Sequence, residues 1–194
     1  MRLLISLASL LLISMMGCRE SEYTRLVKNE HHNGLKKDSL LFNIAFGNSK
    51  SEFYNKCWEL NKQELVTHAP SNQAVQYVIL DSMVHDSPTK IMLYFFPTFD
   101  EQEIINGMNM EFSYLGWAPW NRQYQSDSLM MKVVQILEKW YGGNPFIYVD
   151  FENNPVKVPI KVDGNRRIIV RIKDTQTVMA TIHDISHKEF KHSL

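Results

Sequence analysis

Val75-Gln76-Tyr77-Val78-Ile79-Leu80 and Ile91-Met92-Leu93-Tyr94-Phe95-Phe96, joined across His85-Asp86-Ser87-Pro88-Thr89, decide how the rest of this chain is read. Both runs are short, rich in β-branched and aromatic residues and bounded by turn formers, which predicts a hairpin with a longer turn. After Pro97 and the polar Asp100-Glu101-Gln102-Glu103, a third strand is expected from about Ile104 through Met108 and Met110 to Tyr114. The three together make a meander.

Upstream, Ser49 followed by Glu52 forms a capping box, in which each side chain satisfies a backbone donor left free at a helix start. Phe53, Cys57 and Leu60 then fall on one helical face, predicting a helix over 50–63. Before it, Leu40, Leu41, Phe42, Ile44 and Phe46 read as a short strand-like run ending at Gly47. Downstream, a second helix begins with Ser126 or Asp127 as N-cap and carries Leu129, Val133, Ile136, Leu137 and Trp140 at helical spacing. Gly142-Gly143-Asn144-Pro145 stops it, because glycine accepts left-handed backbone and proline cannot continue a helix. Strands are expected at 146–151, 158–162, 167–173 and 177–182, with Asp163-Gly164 as a tight turn between the second and third.

Helix, meander, helix, meander predicts an α+β fold: one antiparallel sheet of six to seven strands with two helices on one face, in the order α-βββ-α-ββββ. That order has the form of a pseudo-repeat, although no residue-level repeat accompanies it. Phe46-Gly47-x-Ser49-x-x-Glu52, opening a helix that precedes a meander, resembles the repeat unit of the β-lactamase-inhibitor-protein-like domains. Small outer-membrane assembly lipoproteins share that domain type. Those domains usually carry Met after the glycine, where Asn48 stands here. The resemblance implies a protein-binding or assembly role without catalysis.

The chain opens with Met1-Arg2 and an apolar run from Leu3 to Met16 broken only by Ser6, Ser9 and Ser14. A charged start and a short apolar segment are the parts of a signal peptide. As a helix the run would rise roughly 21 Å against a hydrocarbon core of about 30 Å, too short to span. It ends in Met15-Met16-Gly17-Cys18, which resembles the lipobox read by lipoprotein signal peptidase. That resemblance implies removal of residues 1–17 and lipid attachment at Cys18; an ordinary signal peptide that happens to contain a Cys is the alternative. Arg19 after the Cys resembles the sorting habit of outer-membrane lipoproteins, facing the periplasm or the cell surface. Residues 18–38 are polar and mixed in sign and read as a solvated tether, which would hold a domain spanning 39–194 on the order of 25 Å from the bilayer.

Lys plus Arg equals Asp plus Glu at 21 each, which lacks the basic footprint of a nucleic-acid binder and implies no nucleic-acid partner. The partners implied are the membrane, through the N-terminal lipid, and an envelope protein or glycan. With Cys18 lipidated, Cys57 has no disulfide partner, so stability must come from buried apolar surface.

The most distinctive stretch is Phe112 to Tyr124, where Trp117, Trp120, Tyr114 and Tyr124 are interleaved with Gly116, Pro119, Asn121 and Arg122. That is the composition of an interface hot spot or a sugar-stacking platform, with Trp117 and Trp120 as anchors and Arg122 and Tyr124 beside them. The competing reading is a long crossover whose aromatics cap the sheet end. Cys57 would need exposure and a neighbouring cation to act as a nucleophile, whereas on an apolar helix face it is a small hydrophobe. His183, His187 and His192 near Asp184 and Glu189 are a zinc-compatible set in a chain end that is otherwise frayed, and His31-His32 is a solvated pair in the tether. No phosphate loop, Ser-His-Asp arrangement or His-Glu-x-x-His motif is present, and no cofactor or metal is called for. The expectation is therefore a non-catalytic envelope lipoprotein with a protein- or glycan-binding domain. The alternatives are a hydrolase or metal-dependent enzyme using Cys57 or the C-terminal histidines, and a purely structural lipoprotein.

Overall fold

The alternation along 75–114 builds the expected meander in a computed structural model that describes residues 20–70, 74–80, 90–151 and 156–188. A two-residue strand β1 (Thr67–His68) precedes β2 (Val75–Ile79), β3 (Ile91–Phe99) and β4 (Ile105–Tyr114), each antiparallel to the next. The second half supplies β5 (Ile147–Val149), β6 (Val158–Asp163), β7 (Arg166–Ile172) and β8 (Thr177–Asp184), again antiparallel in sequence order. β8 pairs with β4, so one eight-stranded sheet runs β1-β2-β3-β4-β8-β7-β6-β5. The α+β class is as read, with β1 as the additional strand. The turn at 85–89 lies outside the described residues.

Register carries the core. Leu93 faces Phe112, Phe112 faces Val178, and Met110 faces Ala180, which faces Val170, so these side chains line one side of the sheet. A helix over Ser126–Tyr141 contributes Leu129, Val133, Ile136 and Leu137 to that cluster, and the helix over Lys50–Lys62 contributes Phe53 and Leu60. Leu40, Leu41, Ile44 and Phe46 join it as a loop instead of a strand. Phe42 and Asn43 both take left-handed backbone, at φ 54° and 62°, and turn the chain so that Leu40 N–H donates to Ile44 O at 2.7 Å. Apolar content without a straight path is what made the run look like a strand. Phe42 packs edge-on against Tyr77, with ring centroids 5.0 Å apart.

The tether reading is corrected. Residues expected to be solvated form a helix, α1 (Glu22–Asn33), capped by Ser21, whose Oγ accepts from Thr24 N–H, and closed by Gly34 at φ 63°. Among the described residues, we number two further α-helices α2 (Lys50–Lys62) and α3 (Ser126–Tyr141). Val27 is 3% exposed in a second cluster with Val158, Ile160, Val162 and Ile185, against which Tyr23 and Leu26 also pack. Ile160 pairs with Ile169, which points away from Ile168 of the main core, so α1 covers the opposite side of the sheet. One turn of apolar residues, Tyr23, Leu26 and Val27, suffices because the sheet side it meets is already apolar. This explains why β6 is buried at all six positions.

The segment after α1 is pinned to the β6–β7 turn. Its two-residue loop is Gly164-Asn165, one step on from the Asp163-Gly164 pair read as the turn. Gly164 N–H donates to Glu30 Oε2 at 2.7 Å, Lys37 N–H to Asn165 Oδ1 at 2.6 Å, and Asn165 Nδ2 to Asp38 Oδ1 at 2.8 Å. Arg166 reaches Ser39 O at 2.8 Å. A Cβ on Gly164 would lie 2.1 Å from Leu35 O, so only glycine allows this approach.

Candidate functional site

A concavity opens where α2 meets the sheet edge. The capping box forms as expected, with Ser49 N–H donating to Glu52 Oε2 at 2.6 Å and Glu52 N–H to Ser49 Oγ at 3.2 Å. β2 pairs with β3 only as far as Phe95, and Phe53 of α2 meets Phe96 and Phe99 beyond that point, with ring centroids 5.5 and 6.2 Å away. Phe53 and Leu60 are buried and Cys57 is half-buried, while Tyr54 and Trp58, one position further round the helix, are 51% and 63% exposed. A groove of about 580 Å³ runs between these side chains and Val66, His68, Val75 and Phe96.

The chain reverses directly after α2. Glu64 takes left-handed backbone at φ 58°, Leu65 N–H donates to Leu60 O, and Asn61 Nδ2 donates to Val66 O at 2.8 Å. Those bonds bury Val66 and lay β1 against β2, where it covers Val75 and Gln76 alone. Among the described residues, the outer edge of β2 from Tyr77 to Ile79 has no strand neighbour. A second depression of about 410 Å³ lies along that edge, flanked by exposed Leu65 and Leu80. Lys62 Nζ sits 3.4 Å from the Trp58 ring centroid and covers one face of the indole.

Tyr54, Trp58 and Leu65 were not singled out in the sequence. The signal for the first two was present: large aromatics four residues apart on a helix, out of phase with the Phe53, Cys57, Leu60 stripe. Cys57 lines the groove, and burial pushes its thiol up to about 11, which keeps it a thiol at neutral pH.

The aromatic crossover divides in two. Trp117 and Tyr124 pack against the main core, Tyr124 tilted on Tyr114 with centroids 5.1 Å apart. Gln125 ties the loop together: its Nε2 donates to the carbonyls of Ala118, Pro119 and Asn121, and its Oε1 accepts from Trp117 Nε1 at 3.4 Å. Trp120 is 85% exposed and Arg122 is exposed beside it. The four residues expected to act together thus have two different environments. This loop lies at the end of β7 opposite the Gly164 turn, with Ser126 N–H donating to Thr175 O.

The histidines also separate. His183 sits in β8, where burial first and then Arg167 and Arg171 pull its imidazole down to about 4. His187 Nε2 is 3.2 Å from Asp100 Oδ2. Hydrogen bonds to Asp100, that from Ile104 N–H foremost, hold its carboxyl low. Glu189 and His192 lie outside the described residues, among which no group of three or more His, Cys, Asp or Glu converges. His31 and His32 are exposed at the end of α1.

Charge is buried under the end of α3. Lys161, 1% exposed, donates to Asn144 O and lies 3.1 Å from Asp163 Oδ2, whose Oδ1 accepts from Asn144 N–H at 2.6 Å. Arg166 stacks 4.3 Å above the Tyr141 ring, and burial lowers its pKa. These partners clasp the Gly142–Pro145 bend and the segment at Ser39 onto the sheet. No described helix is long and apolar enough to cross a membrane. The chain matches no protein-family model, no curated protein and no solved structure.

Proposed function

We propose that this protein is a lipid-anchored envelope lipoprotein, outer-membrane in address, whose domain binds a polypeptide partner without catalysis. The groove between α2 and the β1–β2 edge is the binding locus. One observation carries the reading: among the described residues the Tyr77–Ile79 edge of β2 has no strand neighbour, with Leu65 and Leu80 exposed beside it and Tyr54 and Trp58 exposed on the adjoining groove. An extended peptide can add its main chain to such an edge and place alternate side chains in flanking apolar hollows. The two depressions, about 580 and 410 Å³, lie on that line. The raised thiol of Cys57 argues against nucleophilic use of the same groove.

Selection of peptides from a random library on the mature chain tests this. Enriched sequences should alternate apolar residues, and Trp58→Ala or Leu65→Asp should weaken them by about tenfold, a usual hot-spot loss. Peptides that bind the variants equally, or oligosaccharides that change Trp58 fluorescence where peptides do not, would refute it. The intact mass of the mature protein checks the anchor: it should begin at Cys18 and carry acyl chains.

A further inference from the structure

The geometry points to the outer side of α1 and the Lys36-Lys37 segment as a surface held against anionic phospholipid headgroups. This rests on the lipoprotein reading of Cys18. Three links separate Cys18 from Ser21, the N-cap of α1, a reach of at most about 11 Å. That is close to the diameter of the helix itself, about 10 Å. A flexible tether would have stood the domain off by on the order of 25 Å. Because α1 is docked, the start of the helix cannot leave the bilayer surface by more than that short reach.

Charge agrees with the distance. Tyr23, Val27 and Glu30 face inward, to Arg167, the second core cluster and Gly164. The positions between them point outward: Arg25, Lys28, Asn29 and His32 are exposed, and so are Lys36 and Lys37 after Gly34. Glu20, paired with Lys28, and Glu22 are the exposed acids of this segment. Glu30 and Asp38 are turned to the Gly164-Asn165 loop. Four exposed Lys or Arg therefore stand against two exposed acids on the part of the domain nearest the anchor. Bonds from Tyr23 to Arg167 and from Glu30 to Gly164 place α1 at one end of β7. The exposed Trp120 belongs to the other end, roughly 20 Å away along seven residues of strand.

The test uses the lipidated, mature chain in vesicles containing phosphatidylglycerol and a headgroup nitroxide lipid. A single fluorophore is placed at Asn29→Cys or at Trp120→Cys, each with Cys57→Ser. Several-fold stronger quenching at 29 than at 120 is expected. Arg25→Glu with Lys28→Glu should bring the signal at 29 toward that at 120, since one basic side chain near an anionic surface changes occupancy about fivefold. Equal quenching at the two positions in lipidated protein overturns the proposal, as does a signal at 29 indifferent to charge reversal. An unlipidated intact mass removes the anchor reading and the proposal with it, so the two failures are told apart.

Discussion

Asn165 is the residue on which docking of the N-terminal segment turns. It is 8% exposed and makes three side-chain bonds: Oδ1 accepts from Lys37 N–H at 2.6 Å, and Nδ2 donates to Asp38 and Asp184 at 2.8 and 3.2 Å. Asn165→Ala removes all three and leaves a backbone donor and two carboxylates short of partners. At about 1 kcal/mol for a neutral bond, and somewhat more for bonds to charged groups, the loss is about 3 kcal/mol. Asn165→Asp keeps the shape and the acceptor for Lys37 but sets a third carboxylate between two others. It should cost about 1 kcal/mol more than alanine at neutral pH. Two assays check this. Urea denaturation gives the stability, and limited trypsin digestion at Arg25 and Lys28, exposed on the outer side of α1, reports undocking of that helix. Both variants should be cleaved there well before the sheet unfolds. If Asn165→Ala shifts stability by less than about 0.5 kcal/mol, the range of an inconsequential surface change, and α1 resists trypsin as in the parent, the docking argument is refuted.

His183 should give a pH dependence of its own. Its folded pKa, about 4, lies below the ordinary 6.5, so the unfolded chain binds the extra proton and stability falls as pH drops from 6.5 toward 4. After discounting for partial exposure the loss is about 2 kcal/mol, and His183→Gln should flatten that part of a stability profile measured by urea denaturation. In the crossover, Trp117→Ala should cost about 2–3 kcal/mol because its ring packs on the core, whereas Trp120→Ala should stay within about 0.5 kcal/mol. Thermal melts that reverse this order would show the two environments to be misassigned.

Most of the sheet was legible because its signals are local. Val75–Ile79 and Ile91–Phe99 are β-branched or aromatic at most positions, and the Ser49, Glu52 capping box marks a helix start by itself. Two things were not legible, for one physical reason. In α1, Tyr23, Leu26 and Val27 are the apolar residues that pack on protein, and the helix is justified by the apolar side of β6 more than 130 residues away. No window of sequence contains both halves of that contact. The groove failed in the same way: Tyr54 and Trp58 are visible as aromatics, but their meaning depends on β1 ending after two residues and leaving the β2 edge open. The crossover shows the converse, since composition suggested four cooperating residues and Gln125 sorts them into packed and exposed pairs.

Register also relates the two proposed surfaces. Arg167, bonded to Tyr23 of α1, pairs with His183, which pairs with Gly107, and Gly107 pairs with Thr98 of β3. Phe96, which lines the α2 groove, pairs through Asn109 and Thr181 with Ile169 at the middle of β7, three strands across, and Tyr77 of the open β2 edge is level through Leu93, Phe112 and Val178 with Ile172, away from the end of the sheet that α1 covers. At about 4.8 Å per strand the lateral offset is roughly 14 Å, less than the length of β7 that separates Trp120 from that end. A partner laid along the groove and that edge would therefore extend away from the bilayer, toward the Trp120 end. Lengthening the link between Cys18 and Ser21 with a flexible insert should leave affinity for the free peptide unchanged, because the insert alters the height of the groove and none of its contacts.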